Sequence, residues 1–145
     1  MKSLKKFLTE KGYVRIPLTL TKTNHFEVAA AINGVAGRFI LDTGASSTCV
    51  GLDFTAYFKL VAESSEVKAS GAGAMHMETQ IAKKNYLSIH KWKKKKVAIV
   101  LFNLTHVNNA LTEHDVLPVH GIIGSDILKK GKAVIDYDKK LLFLK

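Results

Sequence analysis

Asn33-Gly34 stands between two apolar runs rich in β formers, residues 25–32 and 35–41. An Asn-Gly pair in that setting is the strongest short-range signal of a tight hairpin, because both central residues of the turn must tolerate positive φ. The second strand ends in Phe39-Ile40-Leu41 and delivers Asp42-Thr43-Gly44-Ala45-Ser46. A carboxylate is therefore expected at the end of a buried strand, in a turn whose glycine lets other backbone come close. Two readings of Asp42 stay open at this point. It is either a turn residue accepting bonds from the next amides, or a reactive carboxylate held beside the core. No second Asp-Thr-Gly or Asp-Ser-Gly occurs in the 145 residues. Chemistry that needs two such aspartates would need a second copy of the chain.

The remaining pattern is one of short strands. Residues 13–20 alternate like a strand, and Pro17 places them at an edge or bulge. Strand-like runs recur at 79–82, 86–89 and 97–104, and 119–124 reads as a buried strand ending in glycine. Residues 133–137 and 141–144 read as a terminal hairpin across Asp138-Lys139-Lys140. Apolar spacing suggests a short helix over 52–60 and one or two helical turns over 108–115. Residues 125–131 read as a helix with Ser125 as cap and Gly131 as stop. The small, glycine-bearing stretch 64–74 suggests a mobile loop or hairpin tip. Residues 1–11 form a basic amphipathic segment in which Leu4, Phe7 and Leu8 share one helical face, and 12–145 form one domain. Many short strands with one or two helices point to a mostly-β barrel or sandwich.

With 47% hydrophobic residues, a chain of this length can bury a core without staples. The lone Cys49 excludes an intramolecular disulfide and reads as a small buried hydrophobe. His106, His114 and His120 lack the spacing of a metal site, so no metal and no cofactor is expected. The net charge of +10 suits nucleic acid, an anionic membrane or acidic proteins without choosing among them. Lys91-Trp92-Lys93-Lys94-Lys95-Lys96 lacks the interleaved aromatics of a nucleic-acid module and reads as a solvated hairpin turn. Asp136 and Asp138 flank a terminal turn and read as structural. No run has the length of a membrane-spanning helix, and the basic start is followed by no apolar signal core. As written, the chain is expected to stay in the cytoplasm, unless a longer natural chain carries a signal or anchor.

Leu41-Asp42-Thr43-Gly44-Ala45-Ser46, Gly121-Ile122-Ile123-Gly124 and Ala133-Val134-Ile135-Asp136-Tyr137-Asp138 together carry a resemblance. In order and approximate spacing, from about Tyr13 to Leu144, the chain resembles the retropepsin-like aspartic proteases, single-domain homodimeric relatives of pepsin. The resemblance implies a pepsin-like single-domain acid-protease barrel that cleaves peptide bonds as a homodimer. It implies that Asp42 from each of two subunits forms a catalytic dyad sharing one proton. Thr43 would reach across the two-fold axis, and the Gly44 amide would bond the dyad. Ala45 would leave room for substrate backbone, and Ser46 would support the loop or contact substrate. Ile122 and Ile123 would pack under the loop, with at least one lining a side-chain pocket, and Gly124 would permit a tight crossing. Gly71, Ala72, Gly73, Ala74 and Met75 fall where the family carries its flap. Rival expectations are a non-catalytic peptide-binding or dimerisation module of the same fold, and a basic nucleic-acid-binding barrel.

Overall fold

The computed structural model describes residues 1–71 and 74–145, with side chains described outside 65–77. The Asn-Gly signal governs the first hairpin as expected. Strands β3 (Phe26–Ile32) and β4 (Val35–Leu41) pair antiparallel from Ile32↔Val35 to Phe26↔Leu41. Asn33 has φ 52° and Gly34 φ 82°, as a type I′ turn requires. Asn33 does more than turn the chain. Its Nδ2 donates to the Phe58 carbonyl (2.9 Å) and to Asn85 Oδ1 (3.0 Å), and its Oδ1 accepts from the Tyr86 amide (3.0 Å).

Further along lie β5 (Cys49–Gly51), β6 (Ala62–Gly71), β7 (Ala74–Ile89), β8 (Trp92–Phe102) and β9 (Gly121–Ile123). With β2 (Thr19–Leu20) they form a sheet of order β2-β3-β4-β9-β5-β8-β7-β6, and a β3–β7 pairing closes it into a barrel. The closing contact is short, Ala31↔Ser88 and Ile32↔Leu87, and β2 and β6 stay at the ends of the strand order. A smaller sheet sets β1 (Val14–Pro17) and β10 (Val134–Asp136) on either side of β11 (Leu141–Leu144). The mostly-β expectation holds, and the barrel alternative is the one realised. The main core fills the barrel with Phe39, Phe58, Ile99, Leu101 and Ile123, all 0% exposed. Burying each such side chain contributes about 1.5–3 kcal/mol. A second cluster, including Ile40, Cys49, Val100, Leu111 and Ile122, lies on the other face of the same strands. The strand period of two separates the two sets.

Several expected elements differ in detail. The single strand over 13–20 divides at Leu18, whose amide bonds the Lys140 carbonyl (2.9 Å); β1 joins the small sheet at its edge and β2 the barrel. The helix expected over 52–60 is only a 3-10 turn, Leu52–Phe54, followed by irregular turns. Phe58 enters the core there, and Lys59 at φ 57° reverses the chain. Most of the stretch expected as a mobile loop or hairpin tip over 64–74 is drawn out into β6 and β7, and its residues 72 and 73 lie outside the described residues. The separate runs 79–82 and 86–89 belong to one strand, β7, interrupted by a register shift after Ala82 where Lys84 has φ 62°. The lysine run is not a turn. Only His90 and Lys91 turn, while Trp92 begins β8 and Lys93 to Lys96 continue it with exposed side chains. Helix α1 (Leu4–Glu10) buries only Leu8 of its three apolar residues. Helix α2 spans Thr105–Glu113, earlier than expected, because Asn103 Oδ1 accepts from the Thr105 amide (2.8 Å). Helix α3 (Ser125–Lys130) is capped by Gly124 rather than Ser125, and Gly131 follows as its stop.

His120, just before β9, sits among rings. It stacks on Tyr57 (5.4 Å, 5°) and meets Phe54 edge-on (4.7 Å). Its Nδ1 accepts from the Arg38 amide (3.1 Å), and the Arg38 guanidinium pairs with Glu27 (2.8 Å). Burial, then the Arg38 charge, lower the imidazole pKa from its ordinary 6.5. The unfolded chain therefore takes up a proton at His120 first as pH falls, and stability declines below about pH 6.5. The melting temperature is expected to drop more between about pH 7.5 and pH 5.5 in wild type than in His120→Gln. Equal drops would remove His120 as the cause.

Candidate active site

Asp42 continues β4 by one residue. Strand β9 runs parallel to β4, pairing Phe39↔Gly121, Ile40↔Ile122 and Leu41↔Ile123, and the Asp42 amide donates to the Ile123 carbonyl (3.0 Å). The chain then turns sharply. Asp42 Oδ1 accepts from the Gly44 amide (2.8 Å), and the Asp42 carbonyl accepts from the Ala45 amide (3.2 Å). One carboxylate oxygen is thus held by the loop's own backbone. Asp42 is half-buried, while Thr43, Gly44 and Ser46 are exposed. Ala45 packs against the second apolar cluster.

What holds the loop is a lacing to the start of α3. The Ala45 carbonyl accepts from the Ser125 amide (2.7 Å). Thr48, 0% exposed, donates its amide to both Asp126 oxygens (3.0 Å each) and its hydroxyl to Asp126 Oδ1 (2.8 Å). The same hydroxyl accepts from the Gly124 amide (2.9 Å). A Cβ on Gly124 would lie 2.7 Å from the Ala45 carbonyl oxygen, so only glycine allows the two segments to cross. The sequence reading assigned no role to Thr48 or Asp126. The available signal was the Asp126 that follows Gly124-Ser125, but its partner lies far off in the sequence. Asp126→Ala leaves the buried Thr48 donors unpaired and is expected to cost about 2–4 kcal/mol in denaturant unfolding, with Asp126→Asn milder. A loss below about 1 kcal/mol would show that the lacing is not what secures the loop.

Asp42 and Ile122 line a cleft of about 750 Å³, between the 22–25 loop on one side and α2 on the other. Ile40, Val107, Ala110 and Leu111 supply its apolar surface. Ile123 points the other way, into the main core at 0% exposure, so of the isoleucine pair only Ile122 reaches the cleft. Gly71 ends β6 and pairs with Ala74, the first residue of β7. Ala72 and Gly73, and the side chain of Met75, lie outside the described residues. Thr43 borders a separate groove of about 540 Å³ with Ser125, Leu128, Lys132, Ala133 and Ile135. Cys49 lies beneath the site, 5% exposed, its thiol pushed up to about 12 by burial and, secondarily, by the Asp126 and Asp42 charges against an opposing bond to the Ile122 backbone. It is a packing residue and no nucleophile. Among the described residues, no group of three or more His, Cys, Asp or Glu could hold a metal ion. No helix among them is long and apolar enough to cross a membrane.

Comparison with known proteins follows the same lines. A retropepsin-like aspartic protease from Rickettsia conorii superposes with a TM-score of 0.61 at 20% identity, covering 92% of this chain and 90% of that one. EIAV protease in complex with the inhibitor HBY-793 gives a TM-score of 0.60 at 18% identity, covering 81% and 98%. At such identities the likeness shows the fold, which is retropepsin-like. No curated protein matches the sequence. A model of the family described as aspartyl protease matches residues 28–127, from the first hairpin through the start of α3, and the chain therefore belongs to that family.

Proposed function

We propose that the chain is an aspartic endopeptidase whose active form is a symmetric homodimer, each subunit contributing one Asp42. The observation that carries this reading is the placement of Asp42: at the end of a buried strand, one oxygen held by the Gly44 amide, on the wall of a cleft large enough for a peptide side chain. The sequence holds one Asp-Thr-Gly, so the second carboxylate of a dyad comes from a second copy. Thr43 is exposed beside the groove formed with α3 and β10, where a partner's loop would meet it. Strand β10 is at the edge of its sheet, which suits pairing with another chain.

Two carboxylates in contact cannot both ionise cheaply, so the pair holds one proton between them. The charged member takes a proton from a water lying between them, and that water attacks the peptide carbonyl. The protonated member gives its proton to the developing oxyanion; the proton taken from water then passes to the leaving nitrogen as the C–N bond breaks, and a hydroxyl of the intermediate returns its proton to the other carboxylate as the C=O re-forms. Gly44 has a mechanical role in this scheme: its amide fixes the carboxylate plane through Oδ1, so little reorganisation accompanies the reaction. Substrate lies extended across the two-fold axis, held in part by β-type backbone bonds, with the hairpin between β6 and β7 as a lid. Gly71, Ala72, Gly73, Ala74 and Met75 are the lid residues in this proposal, and Ala45, Ser46 and Ile122 border the substrate. The test is digestion of a diverse peptide pool by wild type and Asp42→Asn across acidic to neutral pH. Cleavage by wild type alone supports the reading; binding without cleavage by either would favour an inactive peptide-binding module.

A further inference from the structure

The cleft beside Asp42 is apolar below and basic above. Lys22, His25, His106 and His114 all line it, and among its described lining residues Asp42 is the only carboxylate. The basic groups come from two separate elements. His106 lies on the stripe of α2 that also carries Val107, Ala110 and Leu111 into the cleft, and His114 caps the C-terminal end of that helix. On the facing loop, His25 is held in place by a small network. Thr21 Oγ1 accepts from the His25 amide (3.1 Å) and bonds Thr23 Oγ1 (2.8 Å), which in turn bonds His25 Nδ1 (2.8 Å). The Thr21 amide donates to the His25 carbonyl (2.8 Å), and Asn24 at φ 65° completes the turn. That network occupies Nδ1 and leaves Nε2 as the ring atom that can meet a ligand.

We propose that this cleft selects a carboxylate-bearing side chain next to the scissile bond, Glu before Gln. Its methylenes lie on Ile122, Val107 and Leu111, and its carboxylate meets the rim of Lys22, His25, His106 and His114. Lysine supplies a fixed charge, and an imidazole offers an N–H in either protonation state. The single negative charge shared by the dyad repels a second carboxylate, which places the ligand's acid toward α2 and the 22–25 loop and its backbone toward Asp42. The net charge of +10 draws acidic peptides to the surface in the same sense. This selectivity rests on the peptidase reading for its place beside the cut, but the binding it requires does not depend on cleavage.

The test uses matched peptides differing by Glu or Gln at each position flanking the cut, each made as free acid and as C-terminal amide. Two readouts are taken: kcat/KM with wild type, and fluorescence anisotropy with wild type and Asp42→Asn. The Glu peptide is expected to win by about tenfold at low salt, mainly through KM, with the margin shrinking as salt rises. Combining Lys22→Gln with His25→Gln, and separately His106→Gln with His114→Gln, is expected to bring the Glu/Gln ratio toward one. Should either pair fail to fold, the salt dependence of the wild-type ratio decides. Equal binding of Glu and Gln peptides overturns the proposal, as does a preference that follows the free C-terminus and not the side chain. If no peptide is cleaved yet the Glu peptide still binds preferentially, the carboxylate site stands and the peptidase reading falls.

Discussion

Asp42→Asn is expected to fold as wild type does and to cleave peptides at least about 1,000-fold more slowly. The expectation of an intact fold comes from the geometry. The side-chain bond described for Asp42 is accepted from the Gly44 amide within its own turn, and an asparagine carbonyl oxygen accepts that bond equally well. The barrel and the lacing of Thr48 to Asp126 do not involve the Asp42 side chain. The loss of rate comes from the chemistry. A carboxamide neither takes a proton from water at moderate pH nor passes one back to the leaving group. Mixing makes the experiment sharper. If both carboxylates of a dimer are needed, a several-fold excess of Asp42→Asn draws wild-type chains into dead heterodimers, and activity per wild-type chain falls with the proportion of variant. Activity indifferent to added variant would mean that each chain works alone. Cleavage by the purified variant at the wild-type rate would remove Asp42 from the mechanism altogether.

The parts of this molecule that could be read from sequence are those whose cause is local. Asn33-Gly34 specifies a turn by its own backbone preferences, and the β3–β4 hairpin follows with Asp42 at its end. The hairpin of β10 and β11 is similar: Asp136 Oδ1 accepts from the Lys139 amide (3.0 Å) within the turn that joins the strands. Gly131, read as a helix stop, does end α3, but not by a left-handed conformation. Its φ is −88°, and a Cβ would lie 2.8 Å from Leu144 Cδ2. The residue type was legible while its reason was tertiary.

The misreadings share one origin, which is that long-range contacts outweighed local preference. Residues 52–60 have helical apolar spacing, yet Phe58 packs on Phe39 inside the barrel (5.9 Å) and Tyr57 stacks on His120, an arrangement realised here without a helix. Four consecutive lysines are poor strand formers, yet Lys93 and Lys94 pair with Ser88 and Leu87 of β7. Trp92 anchors that strand by burying its ring and donating Nε1–H to the Lys145 carbonyl (3.2 Å). In the candidate site, the place of Asp42 at a strand end and of Ile122 in a buried strand was legible, whereas the Thr48–Asp126 bonds and the facing of Lys22 and His25 toward α2 were not. Those arrangements join segments that no local pattern connects.

Gly121→Ala is expected to destabilise the fold by at least about 4 kcal/mol, a large fraction of the stability a single domain has. Strand β9 is the element that makes the site possible. It lies between β4, which it meets in parallel, and β5, which it meets antiparallel, so Asp42 and the segment leading to Thr48 are both registered against it. A Cβ on Gly121 would fall far inside van der Waals contact with the Cys49 carbonyl oxygen, and 3.1 Å from Phe39 Cε1. The first obstacle is backbone in a paired strand, which no rotamer change relieves. Relief requires β5 and β9 to part, and with them the loop between Asp42 and Thr48. Gly34→Ala is the matched control. Gly34 turns the chain at φ 82°, but nothing lies within 4 Å of its added Cβ, so the cost is the conformational one of roughly 1–2 kcal/mol. Circular dichroism melts of the two variants should therefore separate widely, with Gly34→Ala folded and Gly121→Ala unfolded or melting far lower. A Gly121→Ala protein that melts within a few degrees of wild type would mean that β9 is not wedged against β5 as described, and the positioning of Asp42 would need another support.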